Sequence, residues 1–154
     1  MFRGTLEGIY LAGGKGEPLR AVDQVVAIAG VGLEGDRYAA RQGTFFEPPY
    51  EDREVTLIEA EALDALAAAG CAIEPDAARR NLVTRGVPLN HLVGVELVVG
   101  GAVLRGRRLC EPCAHLARLT SRDVMRALVH RGGLRAQILV GATLRPGDAI
   151  APRV

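Results

Sequence analysis

Two of the three cysteines of this chain stand in one short run, Arg107-Arg108-Leu109-Cys110-Glu111-Pro112-Cys113-Ala114-His115-Leu116. Thiolates act as nucleophiles, as soft-metal ligands and as redox groups, and few other side chains here offer comparable chemistry. The Cys-x-x-Cys spacing leaves four readings open. One is half of a structural zinc site, although zinc wants four N or S ligands in paired spacing and Cys71, His91, His115 and His130 supply no second pair. Another is a dithiol redox pair, although that class sets the pair where an early strand enters a helix, and here it follows a late hairpin. Both cysteines can also be small buried hydrophobes. In the fourth reading Cys113 works alone. Pro112 has a fixed φ and no N–H, and it drives Glu111 toward an extended conformation. A helix starting at Ala114 would put Cys113 at a positive helix end, where a thiol ionises more easily. Arg107, Arg108 or Arg118 would add to that. A thiolate held this way suits a soft, high-valent metal better than zinc.

Three further clusters carry polar chemistry. Gly35-Asp36-Arg37 reads as a turn. Arg79-Arg80-Asn81 reads, on its residues alone, as a solvated charged stretch. Gly13-Gly14-Lys15-Gly16 reads as a hairpin turn: its spacing is wrong for a phosphate-binding P-loop, and no Ser or Thr follows the lysine. Lys15 is the only lysine beside eighteen arginines. Codon bias accounts for that imbalance, while a functional reading has some of these guanidinium forks gripping an oxyanion.

The elements that must position these groups are mostly strands. Thr5 to Ala12 and Val22 to Ala29 are apolar and partly β-branched, and each runs into a glycine-rich turn. Residues 41–53, with two prolines, form an irregular surface loop. Val55-Thr56-Leu57-Ile58 is a buried strand leading into a helix over Glu59 to Ala69 that Gly70 stops. Residues 77–85 are a turn entering a strand. Val95 to Val99 and Ala102 to Arg107, joined by Gly100-Gly101, give the clearest hairpin signal. Thr120 or Ser121 caps a helix over Arg122 to His130. Leu134, Ala136, Ile138 and Val140 alternate as a strand with one buried face. A turn at residues 145–148 leads to a last short strand, Ala149 to Ala151. Many short strands, few helices and no repeating strand–helix rhythm exclude a doubly wound sheet and predict a mostly antiparallel, barrel-like β domain with two or three helices.

The bulk numbers frame this. A chain of 154 residues makes one domain, spanning 1–154, and needs no metal or disulfide to hold its core. Nearly half of it is hydrophobic with six aromatics, so that core is aliphatic. A net charge of +1 gives no case for nucleic acid or an acidic membrane surface. The odd cysteine count and the absence of a leader or a 20-residue apolar run lead us to expect a cytoplasmic protein with free thiols.

Read together, several of these stretches resemble the MOSC domain, the family named for the C-terminal domain of molybdenum cofactor sulfurases. The resemblance rests on Gly30-Val31-Gly32-Leu33-Glu34-Gly35-Asp36-Arg37-Tyr38, Val55-Thr56-Leu57-Ile58-Glu59, Arg80-Asn81-Leu82-Val83, Leu92-Val93-Gly94-Val95, and Pro112-Cys113 followed by His115-Leu116, in that order, and it runs from about Gly8 to about Asp148. It implies a mainly β, barrel-like α+β fold that binds a molybdenum-pterin cofactor, with Cys113 ligating the metal or carrying sulfur. It also implies cofactor contacts from Asp36, Arg37, Arg80, Asn81 and Thr84, while Lys15, as the only lysine, is a candidate for the cofactor phosphate and the role of Cys110 stays open. Reduction of N-oxygenated small molecules, or sulfur transfer to or from the cofactor, are the activities it suggests. A non-catalytic cofactor carrier and a small thiol redox protein using Cys110 and Cys113 are the rivals. The chain has no iron–sulfur cysteine cluster, no flavin-type glycine fingerprint and no pyridoxal-phosphate domain, so a separate electron or sulfur donor is the expected partner.

Overall fold

The computed structural model describes residues 1–14, 17–37, 39, 54–68, 70, 78–110 and 132–154. Eleven strands and one α-helix are present among them. The strands are β1 (Gly4–Leu11), β2 (Arg20–Val22), β3 (Val25–Ile28), β4 (Gly32–Leu33), β5 (Val55–Glu59), β6 (Leu82–Arg85), β7 (Glu96–Val99), β8 (Ala102–Leu109), β9 (Leu134–Val140), β10 (Ala142–Leu144) and β11 (Ala149–Pro152), and helix α1 spans Ala60–Ala68.

Seven strands close a barrel in the order β1, β11, β7, β8, β9, β5, β6, with β6 pairing back onto β1; β2 extends from β1. Closure leaves no long open edge, which is how a chain of short strands avoids edge-to-edge association. The barrel is antiparallel except for β5 and β6, which run parallel and are joined through α1. That one crossover explains the pattern of β5. Leu57 faces the barrel interior with Leu6, Leu82, Leu104 and Leu134, while Ile58 faces outward beneath Ala62, Leu63 and Leu66 of α1. Both faces are covered, so the strand is a continuous apolar run without alternation. The helix ends where expected, at Gly70 with φ +82.

The predicted β character holds, and two details differ from expectation. The apolar run over Val22 to Ala29 is two strands. β2 pairs with β1 at Leu11↔Arg20, the chain breaks at the exposed pair Asp23-Gln24, and β3 joins a separate three-stranded sheet with β4 and β10. Alternation is also lost at the end of β9: Leu134, Ala136 and Ile138 are buried but Val140 is 45% exposed. The ladder with β8 slips between Val103 and Leu104, and such a slip turns a side chain toward the other face. The expected helix over residues 122–130 and the loop over 41–53 lie outside the described residues. No helix among the described residues is long and apolar enough to cross a membrane.

Candidate functional site

Seven polar or charged side chains are buried among the described residues: Asp36, Arg37, Glu54, Thr56, Arg80, Asn81 and Thr84. Burying such groups is costly unless each finds a partner, so their partners define what the cluster is for.

Asn81 is the pin. Its Oδ1 accepts from Thr56 N and Thr56 Oγ1, both at 3.1 Å, and its Nδ2 donates to Tyr10 O at 3.1 Å. Its backbone N–H donates to Thr56 Oγ1 at 3.0 Å, and its carbonyl accepts from Tyr10 N at 2.7 Å. One wholly enclosed side chain thus ties the entry of β6 to both neighbouring strands, β1 and β5. Thr56, which sequence reasoning took as one more residue of a buried strand, is half of this device. A polar residue inside an otherwise apolar buried strand was the available signal.

Asp36 does similar work at the glycine-rich loops. Its Oδ1 accepts from Ala12 N at 3.1 Å and from Arg37 Nη1 at 3.3 Å, while Arg37 N donates to Ala12 O at 2.6 Å. The two expected turns, one after β1 and one after β4, are therefore bonded to each other. Thr84 sits wholly buried on β6, its hydroxyl facing Ile58 O at 3.5 Å. Glu54, also not anticipated, accepts from Ile138 N at 2.9 Å through Oε1.

Arg80 differs from all of these. It is 8% exposed, and its Nε donates to Gly132 O at 2.8 Å. No carboxylate among the described residues pairs with it, and neither terminal guanidinium nitrogen has a hydrogen-bond partner there. Four of its five N–H donors are uncommitted. Its neighbour Arg79 holds the chain in this position: at φ 61 it occupies the left-handed region that a side-chain-bearing residue rarely adopts, and its Nη1 donates to Glu17 O beyond the Gly13-Gly14 turn. The solvated-surface reading of Arg79-Arg80-Asn81 is thereby overturned for Arg80 and Asn81, because β1, β5 and residues 132–133 enclose them.

Gly132 links this arginine to the cysteine run. Cys110 follows β8 directly, is buried, and donates from its N–H to Gly133 O at 2.8 Å. Gly133 has φ +107, and a Cβ there would overlap the carbonyl oxygen of Leu57, so only glycine lets β9 start against β5. The chain therefore leaves the described residues at Cys110 and re-enters them at Gly132, beside the Arg80 guanidinium. Cys113, Lys15, Cys71, His115 and His130 lie outside the described residues. His91 is exposed on a 3-10 turn after β6. Among the described residues no three His, Cys, Asp or Glu side chains gather as a metal site.

The sequence model of the MOSC domain matches residues 31–151. The chain belongs to the MOSC domain family. That family is associated with molybdenum cofactor, and the matched span holds Asp36, Arg37, Arg80, Asn81 and the whole cysteine run. Solved structures agree on the fold. The YuaD protein of Bacillus subtilis superposes with a TM-score of 0.81 at 18% identity, over 97% of both chains. YiiM of Geobacillus stearothermophilus gives 0.71 at 17% identity over 98% of this chain and 75% of its own, and YiiM of Escherichia coli 0.65 at 16% over 100% and 70%. No curated protein matches the chain in sequence.

Proposed function

We propose that this MOSC domain holds molybdenum cofactor with Arg80 as the fork for its anionic group and Cys113 as the thiolate ligand of the metal, and that it reduces N-oxygenated small molecules. The observation that carries the reading is the Arg80 side chain, 8% exposed and, among the described residues, without a counter-ion and with four N–H donors uncommitted. A cation kept in that state is unfavourable for the apo protein, and an oxyanion with two acceptor oxygens is what a guanidinium fork matches. Asn81 serves by fixing the backbone from which Arg80 projects, and Asp36 by holding Ala12, just past β1, against the loop that carries Arg37. Cys113 follows Cys110 by three positions, at most about 11 Å of chain, and the bond of Cys110 to Gly133, next to the Gly132 carbonyl that Arg80 binds, supports pairing the two in one site. When bound, the cofactor supplies a metal able to accept the substrate oxygen. Electrons come from a separate donor protein, the substrate is a small molecule, and no pyridoxal-phosphate chemistry is involved.

Elemental analysis of protein made in a host that synthesises the cofactor tests this. Cys113→Ser should lose its molybdenum, because a neutral hydroxyl replaces a soft thiolate poorly, and Cys110→Ser should keep most of it. Arg80→Lys should lose cofactor while the apo protein melts unchanged. Equal loss in both cysteine variants would favour a dithiol site. Loaded protein given a strong small-molecule reductant should convert a hydroxylamine to its amine. Protein that holds molybdenum, turns over no such compound and passes its cofactor to an apo-enzyme would be a carrier.

A further inference from the structure

A second feature lies apart from the Arg80 fork. Between the Leu11 end of β1 and the small β3–β4–β10 sheet runs a groove of about 470 Å³, within the range of small-molecule sites. Its floor is apolar: Leu11 and Val25 are 3% and 5% exposed, and Val26 adds a wall that is 42% exposed. Arg20, Arg145 and Glu34 line the same groove, and Arg80 does not.

The charges in it have no ion-pair partners among the described residues. Arg37, Arg85, Arg105 and Arg153 each pair with a carboxylate. Arg20 and Arg145 pair with none among the described residues, although Glu34 shares their groove. The backbone N–H of Arg145 is bonded to Asp148 Oδ2 at 2.9 Å, which fixes the turn and leaves the guanidinium uncommitted. Two guanidinium groups and one carboxylate leave a net charge of +1 over an apolar floor. We propose that this groove binds a small amphipathic carboxylate, with its carboxyl group between Arg20 and Arg145 and its apolar body on Leu11, Val25 and Val26. A monoanion balances the groove, while a cation would meet two like charges. The ligand class follows from charge and shape and does not rest on the cofactor reading.

The test uses the full chain without cofactor and two probes of nearly equal shape, 3-phenylpropionate and its neutral amide, titrated by ligand-observed NMR. The carboxylate should bind saturably and at least tenfold more tightly than the amide. Arg20→Gln and Arg145→Gln should each weaken it by roughly fivefold, the size of one partly exposed ion pair. Glu34→Gln should tighten it, because a like charge is removed. Arg3→Gln, outside the groove, and Arg80→Gln, at the cofactor fork, should leave it unchanged. Among the described residues none of the Arg20, Arg145 and Glu34 side chains forms a hydrogen bond or ion pair, so the variants should melt like the parent. Equal affinity for the amide, an Arg20→Gln/Arg145→Gln double variant that binds the carboxylate normally, or no saturable binding of either probe would overturn the proposal. None of those outcomes bears on molybdenum content.

Discussion

Arg80 and Arg85 stand at opposite ends of one short strand and are held in opposite ways. Arg85, at the end of β6, is half-exposed, and its Nε and Nη1 donate to Glu7 Oε2 at 2.6 Å and Asp64 Oδ2 at 3.1 Å. Its hydrogen bonds to Glu7 and then to Asp64 raise its pKa further above the ordinary arginine value, so it never titrates. Arg80, before the strand begins, is buried and has no carboxylate among the described residues. The more exposed arginine has two carboxylate partners, and the enclosed one has none among the described residues. Solvent screens the first and makes its ion pairs nearly dispensable. The second is 8% exposed with no carboxylate partner among the described residues, so its position makes sense as half of a complex with an anion.

The largest effect should come from Gly133, which lets the enclosed end close. Gly133→Ala should destabilise the fold by on the order of 4 kcal/mol in a denaturant titration, since it adds a backbone overlap to a left-handed conformation. Asn81→Ala should follow at about 3 kcal/mol, because Thr56 N and Tyr10 O are left buried without their partner. If it costs as little as a surface change, the pin reading of Asn81 fails.

Arg80→Met sharpens the contrast between the two arginines. Without cofactor it should melt within about 3 °C of the parent, as removal of an uncompensated buried cation offsets one lost hydrogen bond to Gly132. The same variant should retain little molybdenum when made in a competent host. A large drop in apo stability would mean that Arg80 is a structural brace and not an anion fork. Arg85→Ala should have the smallest effect. It should shift the melting temperature slightly, the shift should vanish in high salt, and cofactor content should not change.

The same contrast separates what was legible in the chain from what was not. The Gly100-Gly101 hairpin, the helix ending at Gly70 and the buried run at Val55–Ile58 are local patterns, and they appear where periodicity and turn chemistry put them. The break at Asp23-Gln24 was invisible, because only pairing partners reveal that β2 and β3 belong to different sheets. Nor could Arg79-Arg80-Asn81 be told from a solvated stretch by its residues alone. Charge type and spacing are properties of the chain, whereas burial and partnership depend on which distant strands arrive.

By itself the sequence determined the β class, the aliphatic core, the elements with strong local signals, and, through the order of its motifs, the family. Only the tertiary structure decided the roles of the arginines. It buried Arg80 beside Gly132, set Arg85 in water between two acids, and left Arg20 and Arg145 uncommitted over an apolar floor. The physical reason is that a guanidinium's part depends on its dielectric surroundings and the nearest carboxylate, and both are supplied by residues far away in the chain.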